Sequence, residues 1–272
     1  MTRETYQLTN QAAQIYESQK VPAMFRPLAE ATVNLIQVDA TDHVLDVACG
    51  TGILARVVGE KFPGIQRLVG SDLNQGMLDV ARTLTAAESY KSEWYAADVG
   101  SLPFDSQTFS ICFCQQGLQF FPDKEKALSE VHRVIKPDGR LVLSVWSEIS
   151  PLFAILAEAL EQHIGTAIAE RSLAPFAFRN QEHIENLLTG AGFTDHKIHT
   201  LTVERRIGPA YDSIPAEIAG NPVGVEVAEQ GPKVLDLIVQ RVINNLSSYR
   251  AGEGFSIPQT TFLFETWAGT PR

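Results

Sequence analysis

Short apolar runs alternate with helical segments through the first half of the chain, and this alternation restricts the fold more than any other feature. The apolar runs cover residues 44–48, 67–71, 92–97, 109–114 and 140–146. Strands that read as nearly continuous apolar runs and alternate with helices form a parallel sheet covered on both faces. The pattern therefore predicts an α/β fold with an open, doubly wound sheet. Before the first strand, residues 10–36 have helical spacing, and Pro22 predicts a break in that helix.

The first strand ends in a glycine turn that opens a helix. Residues 43–52 read His-Val-Leu-Asp-Val-Ala-Cys-Gly-Thr-Gly, so a ligand can lie against bare backbone beside a helix N-terminus. Asp46 is unusual because apolar residues flank it, where a carboxylate is costly unless a partner neutralises it. An acid that faces Gly50 and Gly52 favours a ligand with positive charge and several hydrogen-bond donors.

Three later strands also end in polar side chains, at the sheet edge where open α/β folds bind ligands. Asp72 lies 20 residues after Gly52, the spacing of an acid that binds ribose hydroxyls. Asp98 ends the next strand, where it is placed to accept a hydrogen bond from an adenine amino group. Gln115 and Gln116 follow the fourth strand and are placed to meet an amino-acid moiety.

Each of these residues also has a purely structural interpretation. The glycine turn could serve the backbone alone, and Asp72 could cap the helix that follows it. Asp98 could cap the turn at residues 100–103, and the two glutamines could be ordinary turn residues. The occurrence of all four elements together and in order favours the binding interpretation.

Composition narrows the class of protein. Lys and Arg total 22 against 32 Asp and Glu, and the net charge of −10 disfavours a nucleic-acid partner. The three cysteines form no disulfide framework, which indicates a reducing compartment and a cytoplasmic protein. No long uncharged apolar run is present, so no membrane span is expected. The six histidines lack metal-ligand spacing, so no metal site is expected.

At these residues the chain resembles the class I S-adenosylmethionine (SAM)-dependent methyltransferases. Within them it resembles the small-molecule group of the ubiquinone/menaquinone-biosynthesis type (methyltransferase type 11). The resemblance is carried by Val-Leu-Asp-Val-Ala-Cys-Gly-Thr-Gly at 44–52, Gly-Ser-Asp-Leu-Asn-Gln-Gly-Met-Leu at 70–78, Ala-Asp-Val-Gly-Ser-Leu-Pro-Phe at 97–104 and Val-Ile-Lys-Pro-Asp-Gly-Arg-Leu at 134–141. It implies SAM as cofactor and a Rossmann-like seven-stranded sheet, mostly parallel with an antiparallel last strand, plus helical lid and cap insertions.

The resemblance also implies a cofactor-binding role for each matching position. The implied contacts are, for the methionine end of SAM, Asp46, Gly50, Gly52 and Gln115; for the ribose, Asp72; for the adenine, Leu73, Met77, Asp98 and the backbone N–H of Val99; and, for an N-terminal lid, Tyr16 and Phe25.

Two positions depart from the family's pattern. Ala48-Cys49 replaces a glycine and another small residue in the loop; because both are small, we expect little consequence. Gln119 stands where many relatives carry histidine, so a family-type catalytic histidine is not expected there. His163 and Glu148 are weak candidates for a general base, and the sequence assigns no catalytic residue.

The same segments predict one methyltransferase domain over residues 1–272. Its expected parts are an N-terminal helical lid at 1–40, the SAM-binding core at 41–147, substrate-cap segments at 148–180 and 205–258, and the last strand at 259–268. The predicted function is transfer of a methyl group from SAM to an oxygen, carbon or nitrogen of a small-molecule acceptor by in-line displacement. A homodimer is one option for the quaternary structure.

Two other functions stay open. Residues 50–55 also fit the Gly-x-Gly-x-x-Gly/Ala fingerprint of NAD(P)-dependent oxidoreductases, with Asp72 as the ribose acid. Asp46 argues against that alternative, since a negative charge beside a pyrophosphate is repulsive. The second alternative is a non-catalytic SAM-binding protein, because no residue identifies an acceptor site.

Overall fold

A mixed β-sheet organises the protein in a computed structural model that describes residues 10–269. Its strands are β1 (His43–Val47), β2 (Arg67–Asp72), β3 (Glu93–Ala96), β4 (Phe109–Gln115), β5 (Ile135–Trp146), β6 (Phe193–Ile207), β7 (Arg250–Ala251) and β8 (Gly254–Ala268). The order across the sheet is β3-β2-β1-β4-β5-β8-β6, and the short β7 pairs antiparallel with β8. The strand pairs among β1 to β5 are parallel. The predicted doubly wound, mostly parallel α/β fold is confirmed.

Helices follow β1, β2, β4, β5 and β6, whereas a segment without a helix joins β3 to β4. The α-helices of the described chain are α1 (Asn10–Ile15), α2 (Arg26–Leu35), α3 (Ile53–Lys61), α4 (Gln75–Thr85), α5 (Lys124–Val134), α6 (Pro151–His163), α7 (Thr166–Ser172), α8 (Gln181–Gly190), α9 (Ala210–Ala219), α10 (Gly224–Glu229) and α11 (Pro232–Asn245). In α5 the Asp123 side chain accepts a hydrogen bond from the Lys126 backbone N–H, as expected for an N-cap. Across residues 10–269, every helix is too short or too polar to cross a bilayer.

The N-terminal helical stretch differs from its prediction. Pro22 does not break it: the ten residues Tyr16–Phe25 form a π-helix that contains Pro22 and joins α1 to α2 without a gap. At its end the Arg26 N–H donates to the Val21 carbonyl, five residues back. Proline lacks an N–H donor and clashes inside a regular α-helix, and here it lies in a segment with a wider turn. Such π-helical segments are frequent at functional sites.

The chain divides into two compact units. In the described residues, unit 1 comprises 10–145, Asn180–Leu201 and 261–269, and unit 2 comprises Trp146–Arg179 and Thr202–Thr260. Strands β6 and β8 contribute residues to both. Unit 1 has a core of buried strand and helix residues, among them Val44, Leu54, Leu68, Ile111, Phe113 and Val142. Unit 2 has its own core, which includes Leu156, Leu160, Ile214, Ile238, Val242 and Phe255.

Candidate cofactor site

The loop between β1 and α3 contains three left-handed residues in alternation. Ala48, Gly50 and Gly52 have φ angles of 53°, 57° and 76°. A left-handed conformation costs an L-residue about 1–2 kcal/mol but costs glycine almost nothing. Ala48 therefore carries backbone strain at the position where the family pattern has glycine. The expectation of little consequence considered only the size of the side chain and not this backbone conformation.

The two glycines of this loop face different surroundings. A Cβ atom at Gly52 would lie 2.2 Å from Cη2 of Trp94, whereas a Cβ at Gly50 would meet no atom within 4 Å. A Cβ at Gly70 in β2 would also lie 2.2 Å from the Trp94 ring. Gly52 and Gly70 thus make room for an indole, and only Gly50 faces open space. Trp94 was not predicted from the motifs, although a glycine inside a buried strand is a signal of such a close approach.

Asp72, at the end of β2, holds the glycine loop in place. Its Oδ2 accepts a hydrogen bond of 2.8 Å from the Gly50 N–H, and its Oδ1 accepts one of 2.8 Å from the Asn74 N–H. Burial raises the pKa of Asp72, and these hydrogen bonds oppose the rise. The alternative that Asp72 caps α4 is wrong, because Asn74 is the N-cap and accepts from the Met77 N–H at 3.2 Å.

Asp46, in β1, is 1% exposed and lies beside the N-terminus of α3. Its Oδ2 accepts a hydrogen bond of 3.2 Å from the Ala55 N–H, in the first turn of that helix. Burial raises the pKa of Asp46 to about 8, the Ala55 hydrogen bond opposes the rise, and the charge of Asp72 adds to it. The half-buried Asp72 therefore destabilises the charged form of the buried Asp46 at the adjacent strand end.

The predicted adenine contacts lie along the neighbouring strand end. The Ala97 N–H donates to the Asp72 carbonyl at 3.0 Å, which places the end of β3 next to Asp72. Asp98 is exposed, and its Oδ1 accepts from the Gly100 N–H at 2.9 Å, so the turn-capping interpretation is confirmed for this residue. Val99 and Leu73 are half-buried, and Met77 is buried. An adenine role for these residues stays a prediction.

The N-terminal π-helix lies against the same edge of the sheet. Gln115 Nε2, at the end of β4, donates to the Phe25 carbonyl at 3.2 Å. The Tyr16 and Phe25 rings pack with centroids 5.4 Å apart. Burial raises the pKa of the Tyr16 hydroxyl, and the Asp72 carboxylate raises it further. Both predicted lid residues are therefore brought to strand ends that carry predicted cofactor contacts.

An ion pair fixes the start of the π-helix to α3. Arg56 Nη2 lies 2.7 Å and 2.9 Å from the two carboxylate oxygens of Glu17. Both side chains are mostly buried, so solvent screens this pair less than an exposed one. This contact was not predicted, because no local sequence pattern relates two residues that are 39 positions apart.

The end of β4 carries a set of amide side chains that contact each other. Gln116 Nε2 donates to Thr261 Oγ1 at 2.7 Å, and Gln119 Nε2 donates to Gln116 Oε1 at 3.1 Å. Gln115 Oε1 and Gln119 Oε1 are buried without a hydrogen-bond partner among residues 10–269. A Cβ at Gly117 would lie 2.8 Å from the Ala48 Cβ, so this turn packs on the glycine loop.

Known proteins resemble the chain over this site. Residues 45–143 match the family described as "Methyltransferase domain". A demethylmenaquinone methyltransferase from Thermus thermophilus is 39% identical over 111 residues, which cover 41% of this chain and half of the relative. One from Symbiobacterium thermophilum is 30% identical over 192 residues, 61% of this chain and 75% of the relative.

A solved structure extends the likeness of fold beyond the matched region. The YcgJ protein of Bacillus subtilis superposes with a TM-score of 0.58 at 19% identity, over 89% of this chain and 98% of that protein. The chain therefore belongs to the class I SAM-dependent methyltransferases of the ubiquinone/menaquinone-biosynthesis type. The predicted family, fold and cofactor are confirmed.

Proposed function

We propose that this protein transfers a methyl group from SAM to a small-molecule acceptor. The observation that carries the proposal is the pair of carboxyl groups at adjacent strand ends, the buried Asp46 and the half-buried Asp72, of which Asp72 holds the Gly50 turn with its open face. Neither carboxyl group forms an ion pair with a described residue. Such a pair disfavours an anionic ligand and favours a cation rich in donors, which is what SAM offers and a dinucleotide pyrophosphate does not.

The surrounding groups fit the parts of SAM. Gln115 Oε1 is a buried acceptor without a described partner and suits an ammonium donor, next to the loop that would hold the methionine end. The Asp72 carboxylate accepts hydrogen bonds from the Gly50, Leu73 and Asn74 N–H groups, and its two oxygens offer about four acceptor sites, so capacity remains for a ribose hydroxyl. When bound, SAM supplies a methyl group attached to a sulfonium sulfur. After transfer of the methyl group, the rest of SAM is a neutral thioether.

The residues of the chain would orient the two reactants and exclude water. The π-helical segment, held by the Glu17–Arg56 ion pair and by the Gln115–Phe25 hydrogen bond, lies against the end of β4 and brings Tyr16 within electrostatic reach of Asp72. Rigid placement of donor and acceptor lowers the entropic part of the barrier, and exclusion of water strengthens local electrostatics. The tyrosine and phenylalanine rings of this segment are suited to stabilise a nearby cation.

The relatives' names indicate which acceptors to test first. Both are named demethylmenaquinone methyltransferases, so reduced quinones and other phenolic rings are the leading class for this chain. The single-domain organisation, a cytoplasmic location and a homodimer stay predictions.

Two measurements test the proposal. Calorimetry with S-adenosylhomocysteine (SAH) should show binding, and NAD should show none. Transfer of label from methyl-labelled SAM to a panel of reduced quinones and phenols should be detectable above a heat-denatured control. Binding of NAD in place of SAH would revive the oxidoreductase alternative. SAH binding without transfer to any acceptor would favour the non-catalytic alternative.

A further inference from the structure

A chain of hydrogen bonds among amide side chains at the end of β4, called here the amide turn, leaves one buried acceptor oxygen without a donor in the described chain. The turn comprises Gln116, Gln119 and the Thr261 hydroxyl of β8, all within unit 1. Gln116 is 5% exposed and Thr261 is fully buried. Because burial removes water as an alternative partner, the direction of each hydrogen bond in this chain is constrained.

The donor-to-acceptor direction of these hydrogen bonds is set at Thr261. Its Oγ1 lies 2.5 Å from the Val145 carbonyl oxygen, which can only accept, so the hydroxyl proton points there. Oγ1 therefore accepts from Gln116, and Gln116 must present its Nε2 to it. This fixes Gln116 Oε1 toward Gln119, whose Nε2 donates to it. The remaining atom is Gln119 Oε1, an oriented and buried acceptor.

The backbone that carries Gln119 is also held. Lys124 Nζ donates to the Phe121 carbonyl at 2.8 Å and to the Gln119 carbonyl at 3.4 Å. The same turn packs on the glycine loop through Gly117 and Ala48. A polar oxygen that is buried, fixed in direction and without a partner costs stability unless a ligand donates to it.

We propose that Gln119 Oε1 accepts a hydrogen bond from the hydroxyl or N–H group of the methyl acceptor, and that Thr261 positions it through Gln116. The inference rests on the proposed function and names the acceptor chemistry: a molecule with an O–H or N–H donor beside the methylated atom. Glutamine does not titrate, so recognition of the acceptor is independent of pH, unlike recognition by a histidine at this position.

The test uses a pair of probes that differ only in the donor, 1-naphthol and 1-methoxynaphthalene. Both are titrated by calorimetry into the full-length protein saturated with SAH. Wild-type protein should prefer 1-naphthol by about tenfold, the value of one good hydrogen bond to a buried neutral acceptor. Gln119→Leu should abolish this preference, whereas Gln181→Leu, a glutamine bonded to Glu185 on the exposed face of α8, should retain it.

Thr261 provides a readout that a merely structural role would not move. Thr261→Val removes the hydroxyl that orients Gln116 and should reduce the preference, while Thr261→Ser keeps the hydroxyl and should restore it. Gln119→His should introduce a pH dependence of the preference between pH 5 and 8. Melting temperatures confirm that each variant is folded.

The outcomes separate this inference from the proposed function. If SAH fails to bind wild-type protein, the proposed function is wrong and the inference falls with it. If SAH binds but wild-type protein does not distinguish the two probes, or Gln119→Leu retains the preference, then the Gln119 inference alone is overturned. A Thr261→Val variant with wild-type preference overturns the positioning role of Thr261.

Discussion

Polar side chains find hydrogen-bond partners in different ways at two regions of the sheet edge. One region is the ends of β1 and β2, and the other is the end of β4. At the first two, Asp46 and Asp72 accept hydrogen bonds from backbone N–H groups of the glycine loop and the adjoining helices. At the end of β4, the glutamines bond to each other and to the Phe25 carbonyl, and two amide oxygens have no described partner. The acidic ends are therefore part of how the loop folds, whereas the amide end leaves two oxygens free of partners in the described chain.

This comparison predicts that substitutions at the acidic ends change both stability and binding, and that those at the amide end change binding more than stability. The largest effect should come from Gly52→Ala, because its methyl group would overlap the Trp94 ring at a left-handed φ. The expected loss of unfolding free energy is about 2–5 kcal/mol, the sum of overpacking and backbone strain. Urea denaturation measures it.

Gly50→Ala is the matched control, since its φ of 57° is similar but its Cβ would meet open space. Only the strain should remain, about 1–2 kcal/mol, while SAH binding should weaken because the methyl group occupies ligand space. Equal stability losses for the two glycines would show that Trp94 does not constrain the loop.

The next effect should come from Asp72→Ala. It leaves the Gly50 and Asn74 N–H groups without their acceptor and removes the predicted ribose contact. SAH affinity should fall at least tenfold, by roughly 1.5–3 kcal/mol, and stability should fall as well. Calorimetry and urea denaturation of the same samples measure both quantities.

Gln115→Leu tests whether a substitution at the end of β4 changes cofactor binding more than stability. It removes one hydrogen bond to Phe25, so stability should change by about 1 kcal/mol or less, whereas SAH affinity should again fall. A Gln115→Leu protein as destabilised as Asp72→Ala would abolish the distinction between the two regions.

The stability of the ligand-free protein should depend on pH through Asp46. Its pKa rises from 3.8 to about 8 on folding, so below pH 3.8 both states bind the proton and no stability is lost. Between these values the folded protein retains a proton that the unfolded chain releases, so stability falls as pH rises from 3.8 to about 8 and levels off above that. Asp46→Asn should flatten this fall in melting temperatures between pH 6 and 9; an unchanged slope would contradict it.

The smallest effect should come from Ala48→Gly. Glycine relieves the strain at a φ of 53° but adds freedom to the unfolded chain. The net gain should be about 0.5–1 kcal/mol, because the two terms oppose each other. A loss of stability in urea denaturation would mean that the Ala48 methyl group, packed against Gly117, matters more than its backbone strain.

The sequence by itself determined the sheet, the glycine loop and the acids at its edge. Buried parallel strands read as apolar runs, and their carboxyl ends meet at one edge of the sheet. Asp46, Asp72 and Asp98 each lie in or just after such a strand, so they were expected to lie close together. Local turn chemistry also allowed the structural role of Asp98 to be foreseen.

Only the tertiary structure decided which groups complete the site. Gln116 and Thr261 are 145 positions apart, and no local periodicity relates them. Trp94 occupies the space above two glycines, and Pro22 lies inside a π-helix, because packing against neighbouring elements overrides local preference. The direction of a side chain depends on such distant contacts. The sequence therefore indicated the cofactor, whereas the folded chain was needed to identify the Gln119 amide oxygen as a hydrogen-bond acceptor without a described partner.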